Sequence, residues 1–189
     1  FGFTLCESLE REFEKRTGHR DYMEYYDMPY RYIDILPSKN LIDYSMYFDS
    51  LPNNAVIDEW GVAHIPGTVA HFSKMVSPMK DFKTPEEVWS FPMPDVLEDY
   101  RWDGIQDKVE ALKDKDLVPI YFAIQIFEPA WYLRGLDNLL MDMVLNEDMA
   151  KACLDRMTEV KATMCSKIAQ AGFDIIVYGD DVGTQTGMM

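Results

Sequence analysis

Apolar side chains recur at helical spacing along the C-terminal part of the chain, over residues 147–171. The members of this stripe are Ala150, Cys153, Leu154, Met157, Val160, Met164, Ile168 and Ala171. Their i, i+3, i+4, i+7 pattern predicts one long amphipathic helix that ends at Gly172. The same spacing predicts helices over 105–115 and 129–145, and a short charged helix over 7–16. Thr84, Pro85 and Glu87 form a capping-box sequence that predicts a further helix start.

Two nearly continuous apolar runs have the length of strands, residues 117–124 and 173–178. Such runs are typical of strands that are buried on both faces, as in parallel sheets. Residues 55–59 read as a shorter strand that ends in acidic residues. From residue 60 to residue 82, glycine and proline with partial alternation predict a hairpin or an irregular excursion. The alternation of buried strands with helices indicates βαβ units and an α/β fold.

Composition narrows the classes of protein that fit. The chain has 189 residues, of which 48% are hydrophobic, and a net charge of -15. No apolar run approaches the ~20 residues that a membrane span needs, and no basic cluster indicates nucleic-acid binding. The widely spaced Cys6, Cys153 and Cys165 are read as reduced thiols. We therefore expect a cytoplasmic protein with neither a membrane nor a nucleic acid as partner, and the oligomeric state is not readable.

Acidic and aromatic residues follow each of the three predicted strands. Asp58, Glu59 and Trp60 follow the first, and Asp180 and Asp181 follow the last. Neighbouring side chains on a strand point to opposite faces, so only one of Asp58 and Glu59 can face a site while the strand stays regular. A capping role for the acids is the alternative.

After the middle predicted strand come Gln125, Glu128, Tyr132 and Arg134. Tyr132 and Arg134 are candidates for substrate contact from the start of a helix. Ordinary packing and a salt bridge are the alternatives for these two side chains. Metal ligands are poorly represented, because His64 and His71 lie in the irregular segment and no Cys-x-x-Cys unit occurs.

In their order and intervals, these segments resemble the uroporphyrinogen decarboxylase superfamily. The resemblance rests on residues 56–61, on 128–135 with 139–142, and on 171–181. It implies a (β/α)8 TIM barrel of which this chain supplies about the first half. Residues 1–54 would then be an N-terminal helical and aromatic extension. Residues 55–189 would be the first part of the barrel, with its C-terminal half missing.

The superfamily that the chain resembles contains two chemistries. One branch decarboxylates a tetrapyrrole without a cofactor, and there an Asp at the position of Asp58 stabilises a cationic intermediate, with Tyr132 as the nearest counterpart of a site tyrosine. The other branch transfers methyl groups between a methylcorrinoid protein and a small thiol acceptor. Its zinc is bound by His and Cys ligands in the later half, so zinc is expected only if that missing half carries them.

Methyl transfer is the favoured expectation for this chain. Its net charge of -15 and the lack of an arginine-rich segment disfavour a substrate with many carboxylates. Decarboxylation of a uroporphyrinogen-like tetrapyrrole is the alternative, and a non-catalytic partner protein is the second alternative. The resemblance and the strand-end positions give Asp58, Tyr132 and Asp180 as catalytic candidates. They give no metal ligand in this chain, and as substrate-binding candidates Glu59, Trp60, Gln125, Glu128, Arg134 and Asp181.

Overall fold

A computed structural model describes residues 3–67, 73–122, 125–184 and 187–188 of the chain. This part is a mixed α/β structure with seven α-helices and three small sheets. The helices are α1 (Glu7–Thr17), α2 (Tyr22–Tyr25), α3 (Pro85–Ser90), α4 (Ile105–Lys113), α5 (Phe127–Arg134), α6 (Leu136–Leu145) and α7 (Glu147–Gln170). None of the helices in these ranges is both long and apolar enough to cross a membrane.

The strands form one parallel sheet, one antiparallel sheet and a two-stranded ribbon. They are β1 (Tyr30–Tyr32), β2 (Val56–Ile57), β3 (Ala63–Pro66), β4 (Ser73–Val76), β5 (Val118–Phe122), β6 (Ile175–Val177), β7 (Gly183–Thr184) and β8 (Gly187–Met188). The parallel sheet has the order β1-β5-β6, with Tyr32 opposite Ile120 and Ile120 opposite Ile175. The antiparallel sheet has the order β2-β3-β4.

The predicted TIM barrel is wrong. Within the described ranges the parallel strands form an open three-stranded sheet with β1 and β6 at its edges, and no barrel closes. The segment 55–59, which the resemblance gave as the first barrel strand, pairs antiparallel with β3 instead. The chain reverses direction at Gly61, whose positive φ of 90° permits the tight turn. The first parallel strand is β1, inside the segment predicted as an extension, and the boundary at residue 54 stays a prediction.

Three apolar clusters hold the described part together, of which the smallest lies around α1 and α2 and the other two position the site. One packs the inner face of α4 and α7 against β5, through Ile105, Val109, Tyr121 and Ile168. The other lies between α3, α5, α6 and the first half of α7. A buried cluster of this kind stabilises the fold by roughly 25 cal/mol for each Å² of apolar surface removed from water. The antiparallel sheet and the start of α5 are thereby fixed beside α7.

The helices match the periodicity closely, with one exception. The long helix, the capping-box helix and the helix at 105–115 are confirmed as α7, α3 and α4, and in α3 the backbone N–H of Thr84 donates to the carboxylate of Glu87, as in a capping box. The single helix predicted over 129–145 is wrong, because α5 ends and α6 begins at Gly135. Gly135 has φ 91° and ψ 132°, which no helical residue adopts. The apolar spacing continues across the break, which is why the pattern does not reveal it.

Candidate functional site

A pocket of about 190 Å³ lies where the antiparallel sheet, α5 and α7 meet. Its walls are mostly apolar, with a few polar groups that converge on one space. The lining residues are Asp58, Trp60, Val62, Gln125, Pro129, Tyr132, Leu133, Met157 and Lys161. Few polar groups in an otherwise apolar cleft are the usual make-up of a small-molecule site. Four of the predicted site residues, Asp58, Trp60, Gln125 and Tyr132, therefore share one pocket although they come from distant parts of the sequence.

A larger hollow of about 630 Å³ lies against the parallel sheet, and its walls include Tyr30, Tyr32, Ile120 and Phe122. Among its described lining residues Asp34 is the one charged side chain. This hollow is wider open and contains none of the predicted site residues. The smaller pocket is therefore the better candidate for chemistry, because it holds an acid, an amide, a phenol and an amine together.

Asp58 shapes the turn at the edge of the pocket. Its Oδ1 atom accepts hydrogen bonds from the backbone N–H groups of Trp60 and Val62, both at 2.9 Å. Its Oδ2 atom lies 2.8 Å from Nε2 of His64. The short side chain of Asp58 thus accepts hydrogen bonds from the backbone of the turn that it begins, as Asp often does in tight turns. Asp58 therefore orients the Trp60 segment and also presents a carboxylate edge to the pocket.

Glu59 lies in the turn that follows β2, and it is not among the residues that line the pocket. Its two carboxylate oxygens each lie 3.1 Å from one terminal nitrogen of Arg101, a side chain that is only 1% exposed. Arg101 also donates to the backbone oxygens of Leu36 and Asp95. The structure thus places Glu59, predicted to bind substrate, in an ion pair that ties the turn to the segment before α4.

A short hydrogen-bonded chain runs along the first turn of α5. The hydroxyl of Tyr132 donates to Glu128, and the amide of Gln125 donates to the same carboxylate. Burial, followed by the hydrogen bond to Glu128, raises the pKa of Tyr132 above its ordinary value. The phenol therefore keeps its proton at neutral pH and acts as a hydrogen-bond donor, not as a base.

Asp180 caps α5 from a distant part of the chain. Its carboxylate accepts the backbone N–H groups of Ile126, Phe127 and Glu128, each at 2.8 Å. A carboxylate at a helix N-terminus satisfies unpaired donors and complements the helix dipole. Asp181, next in sequence, is exposed, and its charge contributes to the raised pKa of Tyr132. The acids after β6 thus reach the same end of α5 as Gln125 and Tyr132.

Replacing Asp180 with alanine is expected to lower the free energy of unfolding by about 1–2 kcal/mol, because three backbone donors at the start of α5 lose their acceptor. Urea unfolding measures the loss. The matched control is Asp181→Ala, where an exposed neighbour is removed and the change should stay within about 0.5 kcal/mol. Equal effects of the two substitutions would show that the cap does not hold α5.

Arg134 is buried on a side of α5 that does not line the pocket. Its Nε atom lies 2.7 Å from Oδ2 of Asp142, and its terminal nitrogen donates to the backbone oxygens of Met79, Lys80 and Phe82. The structure places this predicted substrate-binding residue outside the pocket lining. Its contacts join α5 and α6 to the segment that precedes α3.

The functional residue that the sequence reasoning missed is Lys161. It lies on α7 between Met157 and Met164, is only 8% exposed, and lines the pocket. Its Nζ atom stands 4.9 Å from the centre of the Trp60 ring, within range of a cation–π interaction. The sequence feature that could have revealed Lys161 is its spacing of four residues from Met157. That spacing places it on the apolar face of α7, and lysine is seldom buried in a protein core.

Metal ligands do not cluster in the part of the chain that the structure describes. No group of three His, Cys, Asp or Glu side chains in these ranges could hold a metal ion. The zinc implied by the resemblance thus has no ligand set among the described residues, and His71 lies outside them. His64 contacts Asp58 and stands 3.3 Å from Oγ of Ser73.

The comparisons with known proteins supply no further identification of this pocket. Searches against models of protein families, against curated proteins and against solved structures found no match to the chain.

Proposed function

We propose that the pocket binds a small methyl acceptor in an enzyme like those of the uroporphyrinogen decarboxylase superfamily, which transfers a methyl group between a methylcorrinoid protein and that acceptor. The observation that carries the proposal is that residues from three separate segments meet at one place in the fold. Asp58 and Trp60, Gln125 and Tyr132, and the Asp180 cap come from three segments that are distant in sequence, and they meet at one end of α5. With the exception of Gln125, these residues belong to the three segments on which the resemblance rests.

The size and charge of the pocket support methyl transfer over decarboxylation of a tetrapyrrole. A volume of about 190 Å³ suits a compact molecule and not a macrocycle. A substrate with many carboxylates also needs several cationic partners, usually arginines. Among the described residues that line the pocket, Lys161 is the one cation, while Arg101 and Arg134 are committed to internal ion pairs.

The roles of the lining residues follow from their geometry. The apolar faces of Trp60, Leu133 and Met157 would exclude water from the acceptor. The amide of Gln125 and the phenol oxygen of Tyr132 would orient it by hydrogen bonds, with Glu128 fixing both side chains. The phenol acts here as a hydrogen-bond acceptor, because its own proton is donated to Glu128. The methylcorrinoid partner would supply the methyl group. The chain's own contribution is therefore to position the acceptor and shield it from solvent.

The test uses the natural full-length protein with methylcobalamin as donor and 2-mercaptoethanol as acceptor, followed by the absorbance of the demethylated corrinoid. Tyr132→Phe should slow the transfer about tenfold, the equivalent of one hydrogen bond of about 1.4 kcal/mol. Tyr26→Phe, at an exposed tyrosine beside α2, is the matched control and should leave the rate unchanged.

A parallel assay offers uroporphyrinogen and measures released carbon dioxide. Carbon dioxide without methyl transfer would replace the proposal by decarboxylation. No turnover of either substrate would point to a non-catalytic partner protein instead. Equal rates for wild type and Tyr132→Phe would remove the phenol from the site.

A further inference from the structure

Three polar side chains stand in a row on one face of the antiparallel sheet. Val56 of β2 lies opposite His64 of β3, and Asp58 follows two residues after Val56. Pro66, two residues beyond His64, lies opposite Ser73 of β4. Side chains that are two residues apart on a strand point to the same face. The register of the sheet therefore brings a carboxylate, an imidazole and a hydroxyl side by side.

The contacts within this row fix where the protons lie. Nε2 of His64 is 2.8 Å from Oδ2 of Asp58, and Nδ1 of His64 is 3.3 Å from Oγ of Ser73. A carboxylate can only accept a hydrogen bond, so Nε2 carries the proton of the neutral imidazole. Nδ1 then has a free lone pair, to which the hydroxyl of Ser73 donates. The backbone N–H groups of Trp60 and Val62 hold the carboxylate in place, and the carboxylate holds the imidazole.

A serine beside an imidazole that a carboxylate orients is the arrangement of an activated nucleophile. The serine hydroxyl alone attacks weakly, because it keeps its proton at neutral pH, and the imidazole removes that proton during the attack. A nucleophile–base contact slightly longer than an ideal hydrogen bond is common before a substrate binds. The side chains of His64 and Asp58 are 34% and 35% exposed, and Ser73 is exposed. A substrate can therefore reach the hydroxyl from solvent.

We propose that Ser73, His64 and Asp58 form a second reactive site, which hydrolyses neutral carboxylic esters with a short acyl chain. This activity goes beyond the proposed methyl transfer and does not depend on it, although Asp58 borders both sites. Met75 lies directly opposite His64 and offers the acyl chain an apolar contact on the same face. The net charge of -15 disfavours an anionic ester.

The hydrolysis has two steps. Oγ of Ser73 bonds to the acyl carbon as its proton moves to Nδ1 of His64, and the alcohol then leaves with that proton. Water next gives a proton to Nδ1 and bonds to the acyl carbon, and the acid leaves as Oγ takes the proton back. Asp58 stabilises the imidazolium that forms in each step. Because β4 lies at the edge of the described order β2-β3-β4, it presents backbone N–H groups that can stabilise the oxyanion.

A fluorophosphonate ester tests the proposal, because it phosphonylates activated serines with release of fluoride and leaves ordinary serines unmodified. The natural full-length protein is incubated with the probe, and peptide mass spectrometry locates the label, which we expect on Ser73. His64→Gln should slow the labelling by about 10²–10⁴-fold, the contribution of a positioned general base. The matched control is His19→Gln, at an exposed histidine next to α1, which should leave the labelling rate unchanged.

Asp58 is a positioning residue, since it acts through His64, and its variant has a spectroscopic readout. Nitrogen NMR of the imidazole shows which ring nitrogen carries the proton, and in wild type this should be Nε2. In Asp58→Asn the amide donates to Nε2, so the proton should move to Nδ1 and labelling should slow within the same range. An unchanged tautomer would remove Asp58 from the site.

Labelling of wild type needs no variant to fold. A wild-type protein without label on Ser73, or one labelled no faster than His64→Gln, overturns the reactive site. Hydrolysis of para-nitrophenyl acetate by wild type should be lost once Ser73 is labelled, and hydrolysis that persists overturns the ester activity. Methyl transfer takes no part in these measurements, so the failure of either proposal is seen independently of the other.

Discussion

Replacing Arg134 with methionine is expected to lower the free energy of unfolding by about 3–5 kcal/mol. Arg134 is 7% exposed, and its partner Asp142 is 8% exposed. The substitution leaves the Asp142 carboxylate buried without its cation. It also removes the donor shared by the backbone oxygens of Met79, Lys80 and Phe82. A buried charge and several acceptors that lose their partner together are among the most destabilising changes a single substitution makes.

Urea unfolding of wild type and Arg134→Met measures this loss. Arg16→Met is the control, since it removes an arginine from an ion pair with Glu12 that is largely exposed. Pairs of that kind contribute about 0.3–0.5 kcal/mol. A loss below about 1 kcal/mol for Arg134→Met would show that its ion pair does not anchor α5, and it would restore Arg134 as a candidate for substrate contact.

The helices were predictable because the information that specifies them is local. The stripe on α7 repeats over 24 residues, and the capping box of α3 lies within four consecutive residues. The break at Gly135 was not predictable from periodicity, because apolar residues stay in phase on both sides of it. It depends on a backbone conformation that glycine permits and that the spacing of side chains does not encode.

Sheet pairing was harder to predict because partners are distant in sequence. Residues 55–59 end in acid after an apolar pair, as a barrel strand does, but the turn at Gly61 folds them into a hairpin with β3. The actual first parallel strand, β1, is three residues long and lies in a tyrosine-rich stretch without clear alternation. Closure of a barrel is a property of the whole sheet, so short local motifs could not establish it.

The three catalytic candidates lie close together, but their roles stay predictions. Asp58 and Tyr132 line one pocket, and Asp180 caps the start of α5 beside it. Their roles depend on hydrogen-bond partners, and sequence alone does not show that Asp180 caps a helix or that Glu59 pairs with Arg101. Lys161 was missed because helical spacing was read for apolar residues only, and a lysine on the buried face was not counted.

Gly61 is the second position where a single substitution should have a large effect on stability. Gly61→Ala is expected to lower the free energy of unfolding by about 2–5 kcal/mol, from left-handed backbone strain of about 1–2 kcal/mol and crowding of about 1–3 kcal/mol. An added Cβ would lie 2.8 Å from a ring carbon of Tyr44 and 3.0 Å from Phe91. Tyr44 is 2% exposed, and its hydroxyl donates to the backbone oxygens of Glu59 and Pro92, so the ring cannot retreat.

Gly18→Ala separates the two contributions. Gly18 has φ 74°, close to the 90° of Gly61, but an added Cβ at Gly18 meets nothing within 4 Å. Its alanine variant should therefore lose only the strain of about 1–2 kcal/mol, measured by urea unfolding under the same conditions. Equal losses at the two positions would mean that Tyr44 and Phe91 yield to the methyl group. A larger loss at Gly61 would mean that the turn between Asp58 and Val62, which forms one wall of the pocket, is held against a rigid aromatic core.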